Sequence, residues 1–187
     1  MVVRMILIIL SFSLGYPGLA AQGGGEPPPD RLMIPASLFD RAVACIKSFE
    51  GWHYARHHPY IGYGHKLLPG EKLTCNLTKA QADSLLRADL IKRCSTFRRF
   101  GKDALLLAVL SYNVGEYRLL GSGRIPKSTL IRKLEAGNRD IYQEYISYCR
   151  YKGRGHAGLL KRRKTEFALF FICLLYTSPS PRDTERS

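Results

Sequence analysis

The sequence predicts a mainly helical α+β domain with a small β-hairpin lobe after the first long helix. Apolar residues recur at helical spacing over most of residues 35–171. One segment, residues 52–63, has no helical period and is rich in aromatic rings, histidine and glycine, which favours a short hairpin or folded loop. Residues 104–109 are apolar nearly all round, which is typical of a buried central helix.

The two ends of the chain differ in composition from this domain. Residues 1–21 are predicted to be a signal peptide, because Arg4 precedes a short apolar run and small residues that suit cleavage. An uncleaved anchor is the alternative, but that run is short for a membrane span. We expect residues 22–34 to be a Gly/Pro-rich linker. Residues 172–187 resemble translated sequencing-adapter read-through and are predicted to be a non-native tail.

Charge and cysteine content narrow the function. The chain has 187 residues and a formal net charge of +14, which favours a polyanionic partner. The signal peptide predicts export across the inner membrane to the periplasm or beyond, where disulfides are permitted. An odd number of cysteines leaves at least one free, and their spacing does not suggest a zinc site. The five are Cys45, Cys75, Cys94, Cys149 and Cys173.

The first two helices have recognisable end signals. Ser37 and Asp40 match a capping box at the start of the first helix. That helix should end near Glu50, with Gly51 taking the left-handed position that follows it. A second capping box, formed by Thr78 with a glutamine three residues later, opens the next helix.

The later helices follow the same logic. Asn113 and Gly115 are natural terminators for the central helix. A short helix should start at residues 126–128 and close at Gly137, and Asn138 should cap the next one. The last helix carries a shared face made of Leu159, Arg163, Glu166, Phe167 and Phe170.

Glu50 is the candidate catalytic residue. At a helix C-terminus, the negative end of the dipole disfavours an ionised carboxylate, and aromatic neighbours such as Trp52 add desolvation in the same direction. A carboxyl group kept protonated is what a glycosidase needs to protonate a leaving glycosidic oxygen. A lone Glu-Gly pair is more often an ordinary surface feature, so the case depends on the surrounding motifs.

Those motifs resemble the phage-type lysozymes, glycoside hydrolase family 24, over about residues 35–171. The resemblance rests on Phe-Glu-Gly at 49–51, Ile-Gly-Tyr-Gly-His at 61–65 and Ser-Tyr-Asn-Val-Gly at 111–115, followed by Gly-Leu-Leu-Lys-Arg-Arg at 158–163. In particular, the chain resembles secreted lysozymes that travel with conjugative elements of Gram-negative gut anaerobes. The resemblance implies a lysozyme-like fold and hydrolysis of the β-1,4 bond between N-acetylmuramic acid and N-acetylglucosamine in peptidoglycan.

The resemblance also implies roles for individual residues. Glu50 matches the family's catalytic glutamate. Five further residues match family positions that shape the cleft or tie the helices together: Asn113, Gly115, Arg162, Arg163 and Glu166. The residues expected to contact substrate are His53, Gly62, Tyr63, Gly64, Asn113 and Arg163.

One departure from the family concerns the attacking water. The family usually has Asp or Cys about nine residues after the glutamate and Thr before the glycine-rich turn. Here those slots hold Pro59 and Tyr60, and no Asp or Glu occurs between residues 51 and 70. We therefore expect Tyr60 first and His58 second to orient the water, while His53 is expected either to bond Glu50 or to bind sugar. A polar, ring-stacked wall that binds sugar is the alternative interpretation of these residues.

Three functions stay open at the level of sequence. A muramidase is favoured; a lytic transglycosylase needs one glutamate only, and a shortened hairpin could leave an inactive peptidoglycan-binding protein. We expect peptidoglycan as the partner and a monomer with no cofactor and no metal, because His57 and His58 are adjacent and would point apart. The dispersed basic residues do not form a nucleic-acid motif, so nucleic acid is not expected as a partner. Stable membrane insertion is not expected after signal cleavage.

Overall fold

The computed structural model describes residues 34–171. The expected signal peptide at 1–21, the linker apart from Ile34, and the tail at 172–187 lie outside the described residues. Within residues 34–171 there are seven α-helices, two short 3-10 helices and two small antiparallel sheets. The architecture is therefore mainly helical α+β, as the sequence predicts.

The helices follow the order of the sequence signals. The first, α1, ends at Glu50, and the second begins after Thr78, whose side chain and that of Gln81 form the expected reciprocal capping box. Ser128 caps the short fifth helix. The 3-10 helices are Ala55–His57 and Arg98–Asp103. The α-helices are α1 Ala36–Glu50, α2 Lys79–Thr96, α3 Ala104–Val114, α4 Glu116–Leu120, α5 Thr129–Glu135, α6 Tyr142–Ile146 and α7 Ala157–Phe170.

The core is arranged around α3. Every residue from Ala104 to Ser111 is buried, because α1, α2 and α7 pack against different sides of this helix. A helix that is apolar all round is stable only when it is enclosed, which the sequence of α3 requires. The same core receives Ile46 from α1, Leu90 from α2 and Phe170 from α7. The last residues of α1 and α3 thereby lie close to the middle of α7.

The first sheet forms the small lobe after α1. Strand β1, Tyr60–Ile61, pairs antiparallel with β2, His65–Lys66, so that Tyr60 lies opposite Lys66 and Ile61 opposite His65. An isolated bridge between His53 and Gly62 closes the segment before it. This lobe is the short hairpin that the sequence predicts for residues 52–63, although its second strand extends beyond that range.

The second sheet is a hairpin that the sequence interpretation missed. Strand β3, Arg150–Tyr151, pairs with β4, Arg154–Gly155, around a two-residue loop. Both loop residues have positive φ, 47° at Lys152 and 80° at Gly153, as a type I′ turn requires. The Lys-Gly pair between short strands was the available signal.

Two predicted helix starts are wrong. Helix α1 begins at Ala36 after Pro35, and Ser37 makes no capping bond, because proline fixes the backbone geometry needed at the start of the helix. Asn138 does not cap α6; its side chain accepts a hydrogen bond from the Asp140 amide, which forms a local turn before the helix begins at Tyr142.

Neither membrane spans nor disulfides occur in the described part of the chain. Between residues 34 and 171, no helix is both long and apolar enough to cross a bilayer. Cys45, Cys75, Cys94 and Cys149 are all free thiols there, and Cys173 lies outside the described residues.

Candidate active site

Glu50 is placed by the end of α1. It is the last helical residue, and Gly51 follows with φ 66° and ψ −156°, a conformation open to glycine that turns the chain out of the helix. The Glu50 side chain retains 16% of its exposure, so the carboxylate is enclosed but still reaches solvent. This position lets a partly desolvated carboxyl group meet a ligand from outside.

Two side chains hold the Glu50 carboxylate. The Arg162 guanidinium donates from Nη1 to Oε1 over 2.7 Å, and Asn113 Nδ2 lies 3.5 Å from the same oxygen. Arg162 comes from the first half of α7, and Asn113 from the last turn of α3. The three residues therefore join only because those helices converge on the end of α1.

A buried ionic network supports these contacts from behind. Glu166 is fully buried; its Oε1 accepts from Arg162 Nε over 2.8 Å, and its Oε2 lies 3.1 Å from Arg163 Nη1. The Tyr145 hydroxyl donates to Oε2 over 3.0 Å. Arg163 also donates from Nη2 to Asn113 Oδ1 over 2.9 Å. Both side chains that contact Glu50 are thus fixed through Glu166.

The two adjacent arginines differ in their electrostatics. Burial by itself would lower the pKa of Arg162. The negative charges of Glu50 and Glu166 outweigh this effect, so the pKa is raised above its ordinary value. Burial dominates for Arg163, whose pKa is lowered although Glu166 opposes the change. Burial, reinforced by the charge of Glu166, also raises the pKa of Tyr145 well above its ordinary value, so its hydroxyl remains a donor.

The glycine-rich turn lies directly against Glu50. A Cβ added at Gly64 would lie 3.6 Å from Glu50 Oε2, and the φ of 94° at this residue is one that glycine adopts freely. The Tyr112 hydroxyl donates to the Tyr63 carbonyl over 3.0 Å and fixes the turn to α3. A Cβ at Gly62 would come within 2.8 Å of Ala82 on α2, so glycine is required for this close approach.

His65 anchors the far side of the same turn. It is buried, with Nδ1 2.8 Å from Asp89 on α2 and Nε2 3.3 Å from Glu71. These contacts leave no free ring nitrogen for chemistry. His65 therefore serves the structure of the turn.

Similarity to known proteins agrees with this geometry. The Phage lysozyme family model matches residues 47–166, which include Glu50, the glycine-rich turn and the ion-paired residues of α7 up to Glu166. The chain belongs to the phage lysozyme family. Its expected family membership is confirmed, as is its lysozyme-like fold.

Proteins similar to this phage lysozyme domain include a phage endolysin and a bacterial muramidase domain. An endolysin of Bacillus phage B103 is 30% identical over 153 residues, which are 72% of this chain and 54% of the endolysin. The chain thus spans about half the length of that curated relative. The muramidase domain of SpmX from Asticaccaulis excentricus is 25% identical with a TM-score of 0.57, covering 80% of this chain and all of that domain.

In the described part of this phage lysozyme domain, the residues expected to orient a water form no hydrogen bond with Glu50. Tyr60 is on β1 with 42% of its surface exposed, and His58 is exposed just before Pro59. His53 faces the rings of His57 and Tyr60, with ring centroids 5.2 and 6.0 Å away. Across residues 34–171, no hydrogen bond joins Glu50 to His53, His58 or Tyr60.

The remaining expected sugar contacts divide into two kinds. Tyr63 is half-buried between the edge of Trp52, with ring centroids 5.2 Å apart, and the Lys47 ammonium 4.9 Å above its ring. Arg163, in contrast, is fully buried. It can affect a bound sugar only through its hydrogen bond to Asn113. Asn113 and Gly64 are the expected residues that do lie beside Glu50.

Among residues 34–171, the acidic side chains beside Glu50 and the hairpin already have partners, including Glu71, which is held by His65 and the Leu68 amide. Glu166 is sealed from solvent with both oxygens occupied, and Asp89 is held by His65. Within residues 34–171 no group of three or more histidine, cysteine or acidic side chains could hold a metal ion.

Sequence reasoning missed the contact between Arg162 and Glu50. The two residues are 112 positions apart, so no local pattern links them. The available signal was the Arg-Arg pair on an otherwise apolar helical face, since buried arginines require carboxylate partners. Tyr112 and Tyr145, which fix the turn and Glu166, carried no signal beyond their apolar surroundings.

Proposed function

We propose that the chain is a muramidase that hydrolyses the β-1,4 bond between N-acetylmuramic acid and N-acetylglucosamine in bacterial peptidoglycan. The observation that carries this proposal is the Glu50 carboxylate. It is partly exposed at a helix end, oriented by Arg162 and Asn113, and faced by the Gly64 turn. Membership of the phage lysozyme family supports peptidoglycan as the substrate.

In the proposed reaction, protonated Glu50 is the general acid. Its proton passes to the glycosidic oxygen as the bond from that oxygen to the anomeric carbon breaks, and a water adds to the anomeric carbon. The water's proton leaves to a nearby base, for which His58 is proposed, while Tyr60 orients the water. Solvent then restores the proton on Glu50, so one water is consumed for each bond broken.

Arg162 and Asn113 position Glu50. A glutamate on a flexible helix end would sample several rotamers, whereas two donors on one oxygen restrict it to one. The cation also stabilises the carboxylate that remains after proton transfer. The second oxygen, Oε2, is the one that lies toward Gly64 and is available to the substrate.

A lytic transglycosylase is the second candidate, favoured by one observation. The segment between residues 51 and 70 contains no carboxylate, and Glu166 is sealed by its own partners. In that reaction a hydroxyl of the substrate attacks the anomeric carbon, so no water is activated and an anhydro end forms. A peptidoglycan-binding protein without activity is the third candidate, supported by the same missing carboxylate.

Several narrower expectations are part of the proposal. Export through a cleaved signal peptide, a monomeric state, and the resemblance to lysozymes of conjugative elements rest on sequence motifs alone. Bacteriolytic activity against other cells would follow from the same reaction.

The experiment is digestion of purified peptidoglycan by the full chain, with mass spectrometry of the released fragments. The Glu50→Gln variant should lose at least about 10²-fold in rate, because general acid catalysis contributes that much or more. Glu135→Gln makes the same change at a surface ion pair with Arg99 and Lys127 and should leave the rate unchanged. Both variants should retain the melting temperature of the parent to within a few degrees.

The fragments distinguish the three candidates. Reducing muramic acid ends that disappear in Glu50→Gln would establish hydrolysis. Anhydro ends would assign the chain as a transglycosylase. A folded chain that binds peptidoglycan but releases no fragments would refute both enzymatic proposals.

A further inference from the structure

A second concave site lies beside the candidate active site. A cavity of about 430 Å³, here called the Tyr117 pocket, is bounded by β2, the middle of α2 and the start of α4. Its lining includes His65, Lys66, Leu68, Lys92, Gly115 and Tyr117. Neither the sequence motifs nor the catalytic proposal use its lysines or its tyrosine.

Two chain segments connect Glu50 with this pocket. On one side, Gly64 lies against Glu50, and the next two residues line the pocket. On the other side, Asn113 contacts Glu50, and Gly115 to Tyr117 line the pocket. Since the same two segments border both sites, a chain of sugars bound over Glu50 can extend into the pocket without crossing another element.

Tyr117 provides an aromatic surface within the pocket. Tyr117 is 47% exposed, and its ring packs onto Gly115, where an added Cβ would come within 2.6 Å of the ring carbon Cε1. The absence of a side chain at Gly115 therefore decides where the ring lies. Arg118 Nε contacts the Tyr117 hydroxyl over 3.4 Å at the other end. A fixed, half-exposed ring in a concave site is typical of a surface that binds the apolar face of a ligand.

The pocket also presents two available cations. The acidic residues of its wall already have partners, because Asp89 pairs with His65 over 2.8 Å and Glu116 pairs with Arg93 over 3.2 Å. Lys66 and Lys92 form no salt bridge with any of the residues that the structure describes.

Glu71 is the acidic residue with an electrostatic link to Lys92. Its pKa is lowered, chiefly by the amide hydrogen bond from Leu68 and to a smaller extent by His65 and Lys92. The Lys92 charge is thus only partly compensated, and that of Lys66 is not compensated by an ion pair. A carboxylate ligand would meet both ammonium groups.

We propose that the Tyr117 pocket binds a carboxylate-bearing sugar unit of the glycan strand, with the Tyr117 ring against the sugar and Lys66 and Lys92 toward the carboxylate. This inference rests on the proposed function, because the peptidoglycan substrate proposed there supplies the glycan strand that enters the pocket. It makes the pocket a determinant of preference for strands whose muramic acid units carry a carboxylate, on the lactyl group or on the stem peptide attached to it, over neutral oligomers of N-acetylglucosamine.

The test measures binding in the Glu50→Gln background of the full chain, so that no ligand is cleaved. Two probes are compared by isothermal titration calorimetry: a peptidoglycan tetrasaccharide whose muramic acid lactyl groups are amide-linked to stem peptides that carry free carboxylates, and neutral chitotetraose. We expect the anionic probe to bind about tenfold more tightly, because two exposed charge contacts contribute up to about that ratio. This preference should diminish as salt concentration rises.

Three variants locate the preference. Lys66→Gln with Lys92→Gln should abolish it, whereas Lys102→Gln with Lys164→Gln, the same loss of charge on two exposed residues elsewhere, should preserve it. Tyr117→Leu should weaken both probes while the preference for the anionic one remains. A melting curve for each variant establishes that the fold is intact.

The inference fails if the parent binds both probes equally, if it binds neither, or if the Lys66 and Lys92 double variant keeps the preference. Its failure is distinguishable from failure of the proposed function. Cleavage of peptidoglycan without the preference would overturn the pocket assignment alone. The preference without cleavage would leave the pocket as a binding site and refute the enzymatic proposals.

Discussion

Arg162 bridges two carboxylates of different kinds, the partly exposed Glu50 and the fully buried Glu166. An uncompensated buried carboxylate is costly, so Glu166 fixes where the guanidinium must lie. Arg162 then presents its Nη1 group to Glu50 from a rigid position. At the scale of single residues, the orientation of the candidate acid is therefore set by a residue that solvent barely reaches.

A substitution in the turn beside Glu50 should affect cleavage as well as stability. Gly64→Ala places a side chain at φ 94°, which costs roughly 1–2 kcal/mol, and its Cβ would lie 3.6 Å from Glu50 Oε2. Gly137→Ala introduces similar strain at φ 74° with no atom within 4 Å. Both variants should lose similar stability in urea unfolding, but only Gly64→Ala should also lose cleavage rate. Equal activity in the two variants would contradict a role for the turn at the site.

At the scale of elements, a surface network joins α1 to α2. Asp83 on α2 pairs with Lys47 of α1, and it also accepts from Arg87 Nε over 2.7 Å. Arg87 continues to Asp40 on α1 over 2.7 Å. These contacts fix the helix that ends in Glu50 to the helix that supports the glycine-rich turn.

The network predicts a pH-dependent contribution to stability. Hydrogen bonds from Lys47 and Arg87 lower the pKa of Asp83 below its ordinary value of 3.8. Because the folded-state pKa is the lower one, the stabilisation is fully present above 3.8 and is lost as the pH falls through the folded-state value. Asp83→Asn should therefore lower the free energy of unfolding by up to about 1 kcal/mol at neutral pH.

The measurement is urea unfolding of the parent and Asp83→Asn at neutral pH and at pH of about 2. The difference between the two proteins should shrink at the acidic pH. A difference that is the same at both pH values would show that the network does not stabilise the fold through ionised Asp83.

At the scale of the whole molecule, all seven helices of residues 34–171 contribute to one core, which contains two of the thiols. Cys45 on α1 and Cys94 on α2 are buried there, whereas Cys75 and Cys149 retain partial exposure. Burial, with a smaller effect from the charge of Glu166, raises the pKa of Cys45 to about 11. Burial alone raises the pKa of Cys94 to about 12. Since the thiolate is the reactive form, both core thiols should be inert in the folded protein.

Alkylation with iodoacetamide at mildly alkaline pH tests this arrangement. In the native chain Cys75 and Cys149 should react, and Cys45 and Cys94 should react only after unfolding in urea. Peptide mapping by mass spectrometry assigns each modified site. Native labelling of Cys94 as fast as that of Cys75 would contradict a closed core.

Local signals alone predicted much of the helical framework. Thr78 with Gln81, Ser128, and Glu50 before Gly51 each marked a helix end correctly, because capping bonds and left-handed glycines act within a few residues. The prediction failed at Ser37 and Asn138, where another local geometry satisfied the same backbone groups. The second hairpin was missed because strands of two residues are too short to show an alternating pattern.

The sequence by itself determined that Glu50 ends a helix upstream of a glycine-rich turn, and that Arg163 and Glu166 share a face of α7. Only the tertiary structure decided that Arg162 reaches Glu50, that Arg163 is buried behind Asn113, and that Tyr117 and two lysines share a pocket beside them. Helix ends are fixed by bonds between neighbours in the chain. Contacts between distant residues depend on how helices pack around α3, which is set by the burial of many side chains together.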